Sequence, residues 1–115
     1  MASGMKELNL EHGMPTVDTA LRWLESELDA ARKMRRPALK LIHGYGSSGR
    51  GGKIRTACRK YLREQAESGR IRLVIRGEDF SIFNEVTRRS FILCGELRND
   101  RDLDRENRGV TFVVF

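Results

Sequence analysis

The sequence predicts an α/β fold in which helices pack on a mixed, mostly parallel four-stranded sheet. Short apolar runs alternate along the chain with segments whose apolar residues recur at helical spacing, in the order β-α-β-α-β-α-β. Short βαβ units require right-handed crossovers, which favour parallel neighbours. The length of 115 residues suits one hydrophobic core. We therefore expect a single domain over residues 1–115, with residues 1–4 a vector-derived extension and residues 78–108 an insertion before the last strand.

The first half of the chain predicts two strands and a helix. Residues 5–10 alternate between apolar and polar side chains, as a short strand does. Thr16 is placed to cap a helix whose apolar stripe covers residues 17–34. Pro37 ends this segment, and residues 39–42 form a short apolar run that is typical of a buried strand.

The second half predicts two further helices and two further strands. A helix begins at about Lys53 and ends near residue 68, and residues 71–75 resemble a third strand. Ser81 is placed to cap a third helix that ends near residue 94, with Phe83 facing inward. Residues 96–108 alternate acids and bases, which indicates an exposed loop. Residues 110–115 are apolar on both faces and predict a covered strand whose direction stays open.

Composition indicates a very polar globular protein without a membrane segment. Charged residues make up 33% of the chain, and no apolar run approaches the 18 or so residues that cross a bilayer. The N-terminus has no signal-peptide core, so we expect a cytoplasmic protein. Cys58 and Cys94 lie on apolar faces of predicted helices, which favours a reduced pair over a disulfide.

The basic residues are segregated around a glycine-rich loop. Residues 30–63 contain eleven Lys or Arg and no Asp or Glu, and residues 44–52 contain five glycines. Backbone N–H groups in such a loop, and the positive end of the helix that follows, converge on an anion. A long basic field predicts DNA or RNA as the partner. The alternative is a solvated basic surface with no dedicated ligand.

Two better-known phosphate-binding motifs fit the loop poorly. Gly44-x-Gly46-x-x-Gly49 matches the dinucleotide fingerprint, but it follows the second strand, and the chain has no room for the usual two-half domain. The Walker A motif needs Ser or Thr after its lysine, and Ile54 follows Lys53. No nucleotide cofactor is therefore expected.

We expect the loop and the next helix to hold a phosphate backbone. Such contacts give affinity and salt dependence without sequence choice. Tyr45 either stacks on a base or packs over the loop. The nucleic-acid-binding candidates are His43, Gly44, Tyr45, Gly46, Gly49, Arg50, Lys53, Arg55 and Arg59.

The loop and the start of the helix resemble the signature of the Smr (small MutS-related) domain family. The matching residues are Leu41-Ile42-His43-Gly44-Tyr45-Gly46-Ser47-Ser48-Gly49 and Lys53-Ile54-Arg55. The resemblance implies a two-layer α/β sandwich similar to the C-terminal domain of translation initiation factor 3. It also implies DNA or RNA binding and, in some members, endonuclease (nicking) activity. Because some members act in ribosome rescue, the ribosome is a further candidate partner.

The catalytic candidates come from the family's first motif, Leu-Asp-x-His, and from the loop. Here the motif is Leu8-Asn9-Leu10-Glu11-His12, with Asn in place of Asp and the histidine one position late. A one-residue shift in a strand turns a side chain to the other face. In a nuclease, an activated water and a leaving-group acid are needed, so we assign candidate catalytic roles to His43, His12, Glu11 and Asn9.

Three functions remain open at this stage. The first is nucleic-acid binding, with weak or lost cleavage. The second is a DNA or RNA endonuclease, in which Arg50 or Lys53 stabilises the phosphate and Mg²⁺ or Mn²⁺ assists. The third is a module that binds a protein or the ribosome. No metal ligands are assigned, because the acids at residues 78, 79, 100, 102 and 104 lie among arginines that repel a cation.

Overall fold

The structure, a computed structural model, describes residues 4–45 and 50–115. These residues form four strands and three α-helices, and a short 3₁₀ turn lies on either side of the third helix, at Gly77–Asp79 and Gly95–Asn99. The elements are β1 (Lys6–Asn9), α1 (Val17–Lys33), β2 (Ala38–Ile42), α2 (Arg50–Glu67), β3 (Leu73–Arg76), α3 (Glu85–Leu93) and β4 (Val110–Val114).

The strands form one mixed sheet in the order β1-β2-β4-β3. β1 and β2 are parallel, and β4 runs antiparallel to both β2 and β3. The predicted four-stranded α/β sheet is confirmed, and the direction of β4 is now defined. All five residues of β4 are buried, which agrees with a strand that is apolar on both faces and lies inside the sheet.

α1 and α2 cover one face of the sheet. The Thr16 side chain accepts a hydrogen bond from the backbone N–H of Thr19, as predicted for an N-cap. The apolar stripes of both helices meet the sheet residues that point to this face, and removing this surface from water supplies the main stabilisation. The shared core contains Leu24, Leu28, Leu39, Leu41, Ile54, Leu62 and Val113.

Residues 77–108 cover the opposite face, where they add a partial third layer. Phe80 stacks on Phe112 with ring centroids 4.1 Å apart, and Leu97 is fully buried beside them. Most residues of the predicted exposed loop over residues 96–108 are indeed exposed, but Leu97 is an exception that packs into the core. Asp102 is also buried, because the side chain of Lys40 projects onto this face from β2 and needs carboxylate partners.

Lys40 is 1% exposed and makes ion pairs with two aspartates of this segment. Its Nζ lies 3.0 Å from Asp100 Oδ1 and 2.6 Å from Asp102 Oδ2, and it lies 5.5 Å from the centre of the Phe112 ring. Burial alone would raise the pKa of Asp102, but hydrogen bonds from Lys40 and Asn107 hold it below its usual value. The segment is therefore attached to β2 by charge as well as by apolar packing.

The third helix begins later than predicted. Its N-cap is Asn84, whose Oδ1 accepts from the backbone N–H of Thr87 at 3.0 Å. Ser81 instead begins a turn, because its carbonyl accepts from the N–H of Asn84. Asn caps helices about as well as Ser, so the sequence does not distinguish the two starts. As a consequence, Phe83 precedes the helix and is 85% exposed, where an inward position was predicted.

Two predictions drawn from composition can be compared with the structure. Cys58 and Cys94 are both free and buried, and they belong to the cores on opposite faces of the sheet. Within the described ranges, the helices include none with the length and apolar character needed to span a bilayer.

Candidate nucleic-acid interface

Most of the predicted site residues lie at one end of the sheet, which we call the loop edge. β1, β2 and β3 end there, and β4 and α2 begin there. The Leu10 N–H donates to the Ile42 carbonyl at 2.7 Å, and the N–H groups of His43 and Gly44 both donate to the Gly109 carbonyl. The end of β1 therefore lies beside residues 42–44, and the start of β4 joins them.

Gly44 meets Glu11 at the loop edge. Gly44 has a φ of +75°, and a Cβ at this position would overlap the Glu11 carboxylate. Asn9 stabilises the turn, because its side-chain oxygen accepts from the backbone N–H of Glu11 at 2.8 Å. Glu11 and His12 are both exposed. These two side chains are available to solvent, whereas Asn9 has a role in the local backbone.

His43 is fully buried, and both of its ring nitrogens have partners. Nδ1 lies 2.7 Å from the Gly44 carbonyl oxygen, and Nε2 lies 2.8 Å from the Thr111 hydroxyl. Since a carbonyl only accepts, Nδ1 carries the proton and Nε2 accepts from Thr111. The pKa of His43 is lowered to about 4, mainly by burial and also by the nearby charges of Arg59 and Arg55, although the hydrogen bond with the Gly44 carbonyl raises it.

The geometry of His43 favours a positioning role. The ring is neutral and has no nitrogen free to receive or deliver a proton at the surface. It joins the glycine loop to β4 and holds the Gly44 carbonyl in place. Its catalytic role stays a prediction, and this arrangement does not support it.

Arg59 was predicted to bind nucleic acid, but in the structure its side chain is mostly buried. Its side chain is only 14% exposed. Nη1 and Nη2 bind the two carboxylate oxygens of Glu78 at 2.9 and 2.7 Å, Nε donates to the Thr111 hydroxyl, and Nη2 also reaches the Val110 carbonyl. Such a paired guanidinium has little capacity left for a phosphate. Glu78 lies in the 3₁₀ turn that follows β3. Its pairing with Arg59 is the contact that the sequence did not reveal.

A cationic groove lies beside α2 at the same edge. It has a volume of about 390 Å³ and is lined by Arg55, Thr56, Arg59, Arg63, Arg76, Glu78 and Arg108. Arg76 pairs with Asp79 at 2.7 Å, and Arg59 pairs with Glu78. Arg55, Arg63 and Arg108 make no ion pair with any described carboxylate. Arg63 agrees with the prediction that the basic residues of this helix face a phosphate backbone. Sequence reasoning did not assign Arg76 or Arg108 to the site, because they reach it only through the neighbouring β3 and β4.

The remaining candidates lie around the start of α2. Lys53 is exposed, and the first turn of α2 contains no acidic residue to offset the positive end of the helix dipole. Tyr45 is 59% exposed. Gly46, Gly49 and the side chain of Arg50 lie outside the described residues, so their predicted roles stay predictions.

Of the five acidic residues that are candidate metal ligands, four take part in ion pairs, and the fifth, Asp104, accepts from the backbone N–H of Ile82. Glu78 pairs with Arg59 and Asp79 with Arg76, while Asp100 and Asp102 pair with Lys40. Within residues 4–45 and 50–115, His, Cys, Asp and Glu side chains form no group of three that could hold a metal ion. The four paired acids therefore serve as partners for cations of the chain.

Comparison with known proteins identifies the family. The family model of the Smr domain matches residues 8–78, more than half of the chain. No curated protein sequence matches. Among solved structures, the Smr domain of MutS2 from Thermus thermophilus is similar, with a TM-score of 0.59, 25% identity and coverage of 95% of both chains. Smr domains typically bind nucleic acids, and the predicted resemblance is confirmed. This chain belongs to the Smr domain family.

Proposed function

We propose that this domain binds DNA or RNA by the phosphate backbone, along the cationic groove and across the exposed start of α2. The observation that carries the proposal is the groove itself, where Arg55, Arg63 and Arg108 lie together without carboxylate partners among the described residues. Uncompensated guanidinium groups are costly to hold side by side unless an anion comes between them. A nucleic-acid backbone supplies anions at regular spacing.

The charge of the loop edge supports the same proposal. Lys53 in the first turn adds a full charge to the partial charge of the α2 N-terminus, a combination that favours phosphate. His43 and Arg59 lie beneath this surface and support it. Both residues hydrogen-bond to the Thr111 hydroxyl at the start of β4, so that Gly44 and the groove keep their relative positions. Neither residue is assigned a phosphate contact in this proposal.

We expect a double variant, Lys53→Ala with Arg55→Ala, to bind single- and double-stranded oligonucleotides more weakly and with a shallower salt dependence. Each lost phosphate contact removes about 0.7 to 0.9 from the slope of log K against log salt concentration. Fluorescence anisotropy of labelled DNA and RNA between about 50 and 200 mM salt measures both quantities.

The matched control is Lys33→Ala with Arg72→Ala. These side chains are exposed at the opposite end of the sheet, and their removal changes the net charge by the same amount. The control should keep the wild-type affinity and slope. Equal losses of affinity and slope in the two double variants would indicate that a diffuse basic surface, and not the groove, binds the nucleic acid. Wild-type protein without measurable affinity for any of the oligonucleotides would contradict the proposal and would favour the protein-binding or ribosome-binding alternative.

Cleavage is the second candidate function, and one observation favours it. Glu11 is exposed beside Gly44, where a phosphate held at the loop edge would meet it, and the exposed His12 is the next residue along the chain. Supercoiled plasmid and structured RNA, incubated with Mg²⁺, with Mn²⁺ or with EDTA, test for this activity. Cleavage that disappears in both Glu11→Gln and His12→Ala would assign a general base to this pair. Binding without cleavage would leave the domain as a binder.

A further inference from the structure

A second cleft opens at the loop edge, on the side of Tyr45 away from α2. Its volume is about 600 Å³, within the range of about 300 to 1,000 Å³ typical of sites that enclose a small ligand group. It is lined by Tyr45, Arg101, Asp102, Arg105, Glu106, Asn107 and Arg108. All of these except Tyr45 come from the segment between α3 and β4.

The cleft has an aromatic wall and a cationic wall. Tyr45 is 59% exposed, and one edge carbon of its ring, Cδ1, lies near Gly109. Arg101, Arg105 and Arg108 line the same cleft, are exposed and make no ion pair with any described carboxylate. Aromatic rings and guanidinium planes are the two side-chain surfaces on which nucleobases stack.

The backbone segment that carries these arginines is held by hydrogen bonds. Asp102 accepts from Lys40 and also from the side-chain amide of Asn107, and the oxygen of that amide accepts from the N–H of Gly109. Gly109 in turn accepts from the loop that carries Tyr45. The backbone segments that carry the two walls are thus connected through a continuous set of contacts.

The cleft suits a base better than a phosphate. The cleft is lined by an aromatic ring and by the Glu106 carboxylate, which would repel an anion. The described residues that line the adjoining groove include no aromatic side chain, and Arg55, Arg63 and Arg108 are available there for a phosphate. Arg108 lines both the groove and the cleft. One strand can therefore place a phosphate in the groove and an adjacent base beside Tyr45. A base inside a duplex cannot enter, because its faces are covered by the neighbouring base pairs.

We propose that the cleft between Tyr45 and residues 101–108 receives an unpaired nucleobase, so that the domain prefers single-stranded or locally unpaired nucleic acid. This inference rests on the proposed function and specifies the class of its ligand. DNA and RNA offer the same stacking chemistry, and the experiment compares both.

The test measures the ratio of single-strand to duplex affinity for wild type, Tyr45→Ala and Tyr45→Phe. Probes are labelled single-stranded DNA and RNA, a blunt duplex, and a single strand with abasic sites. Loss of one stacked base lowers affinity about fivefold or more, so Tyr45→Ala should lower the ratio by at least about that factor. Tyr45→Phe, which keeps the ring, should restore the ratio, and the abasic strand should bind wild type as weakly as the normal strand binds Tyr45→Ala.

Two further readouts separate this proposal from the backbone proposal. The Lys53→Ala and Arg55→Ala double variant should weaken both probes and leave the ratio as in wild type. A strand with 2-aminopurine should lose fluorescence when bound by wild type and less so when bound by Tyr45→Ala, since stacking quenches the base. An unchanged ratio in Tyr45→Ala, in protein that still binds both probes, would overturn the base site alone. No binding of any probe by wild type would overturn both proposals.

Discussion

We expect Lys40→Met to lower the free energy of unfolding by about 3 to 5 kcal/mol, the usual cost of removing one partner from a buried ion pair. Methionine keeps most of the apolar stem, so packing changes little. The loss arises because Asp100 and Asp102, whose side chains are 7% and 12% exposed, would keep their charges without a buried cation. Urea denaturation, followed by circular dichroism, measures the change.

A rescue and a control make this expectation specific. Lys40→Met combined with Asp100→Asn and Asp102→Asn removes the stranded charges and should recover a large part of the stability. Lys60→Met, on the exposed side of α2, should change stability by no more than about 0.5 kcal/mol. A Lys40→Met protein as stable as the Lys60→Met protein would show that the buried ion pair contributes nothing.

The free energy of unfolding should fall by about 2 kcal/mol between pH 7 and pH 5 because of His43 alone. The unfolded state takes up a proton below its ordinary pKa of 6.5, and the folded state does so only near 4. Between these values the unfolded state holds more protons, so stability decreases as the pH falls. The full contribution is present above pH 6.5 and is lost progressively towards pH 4.

Non-titrating His43→Gln provides the comparison. Urea denaturation at several pH values should give a slope for the wild type between pH 5 and pH 7 that is absent in the variant. Glu78 and Asp102, whose pKa values are lowered, act mainly at more acid pH. Equal slopes in the two proteins would contradict the assignment of a buried neutral imidazole.

The spacing of apolar and capping residues was sufficient to predict the elements that depend on local sequence alone. The apolar stripes of α1 and α2, the Thr16 cap and the short apolar strands are local patterns, and the structure agrees with them. The start of α3 was ambiguous, because Ser81 and Asn84 are both good caps and only tertiary packing separates them. The position of β4 between β2 and β3 depends on pairing between distant residues, about which local pattern says nothing.

The candidate site was predictable as a region and less so as a set of contacts. The glycine loop and the basic start of α2 are visible in the sequence. The carboxylates that occupy Arg59 and Lys40 are not, because Glu78 and Asp102 are distant in sequence and resemble solvated charges. For the same reason the sequence predicts only an exposed loop for the arginines of residues 101–108, although they line a cleft with Tyr45.

The central place of β4 also sets an order for folding. β2 and β3 do not pair with each other; each pairs with β4, in registers such as Ile42 with Val110 and Arg76 with Thr111. Until residues 110–114 have been made, both strands have an open edge, and the hydroxyl of Thr111 is missing from His43 and Arg59. Contacts between such distant residues form slowly. The hydrogen bonds that join His43 and Gly44 to Gly109 and Thr111 can therefore form only when β4 has entered the sheet.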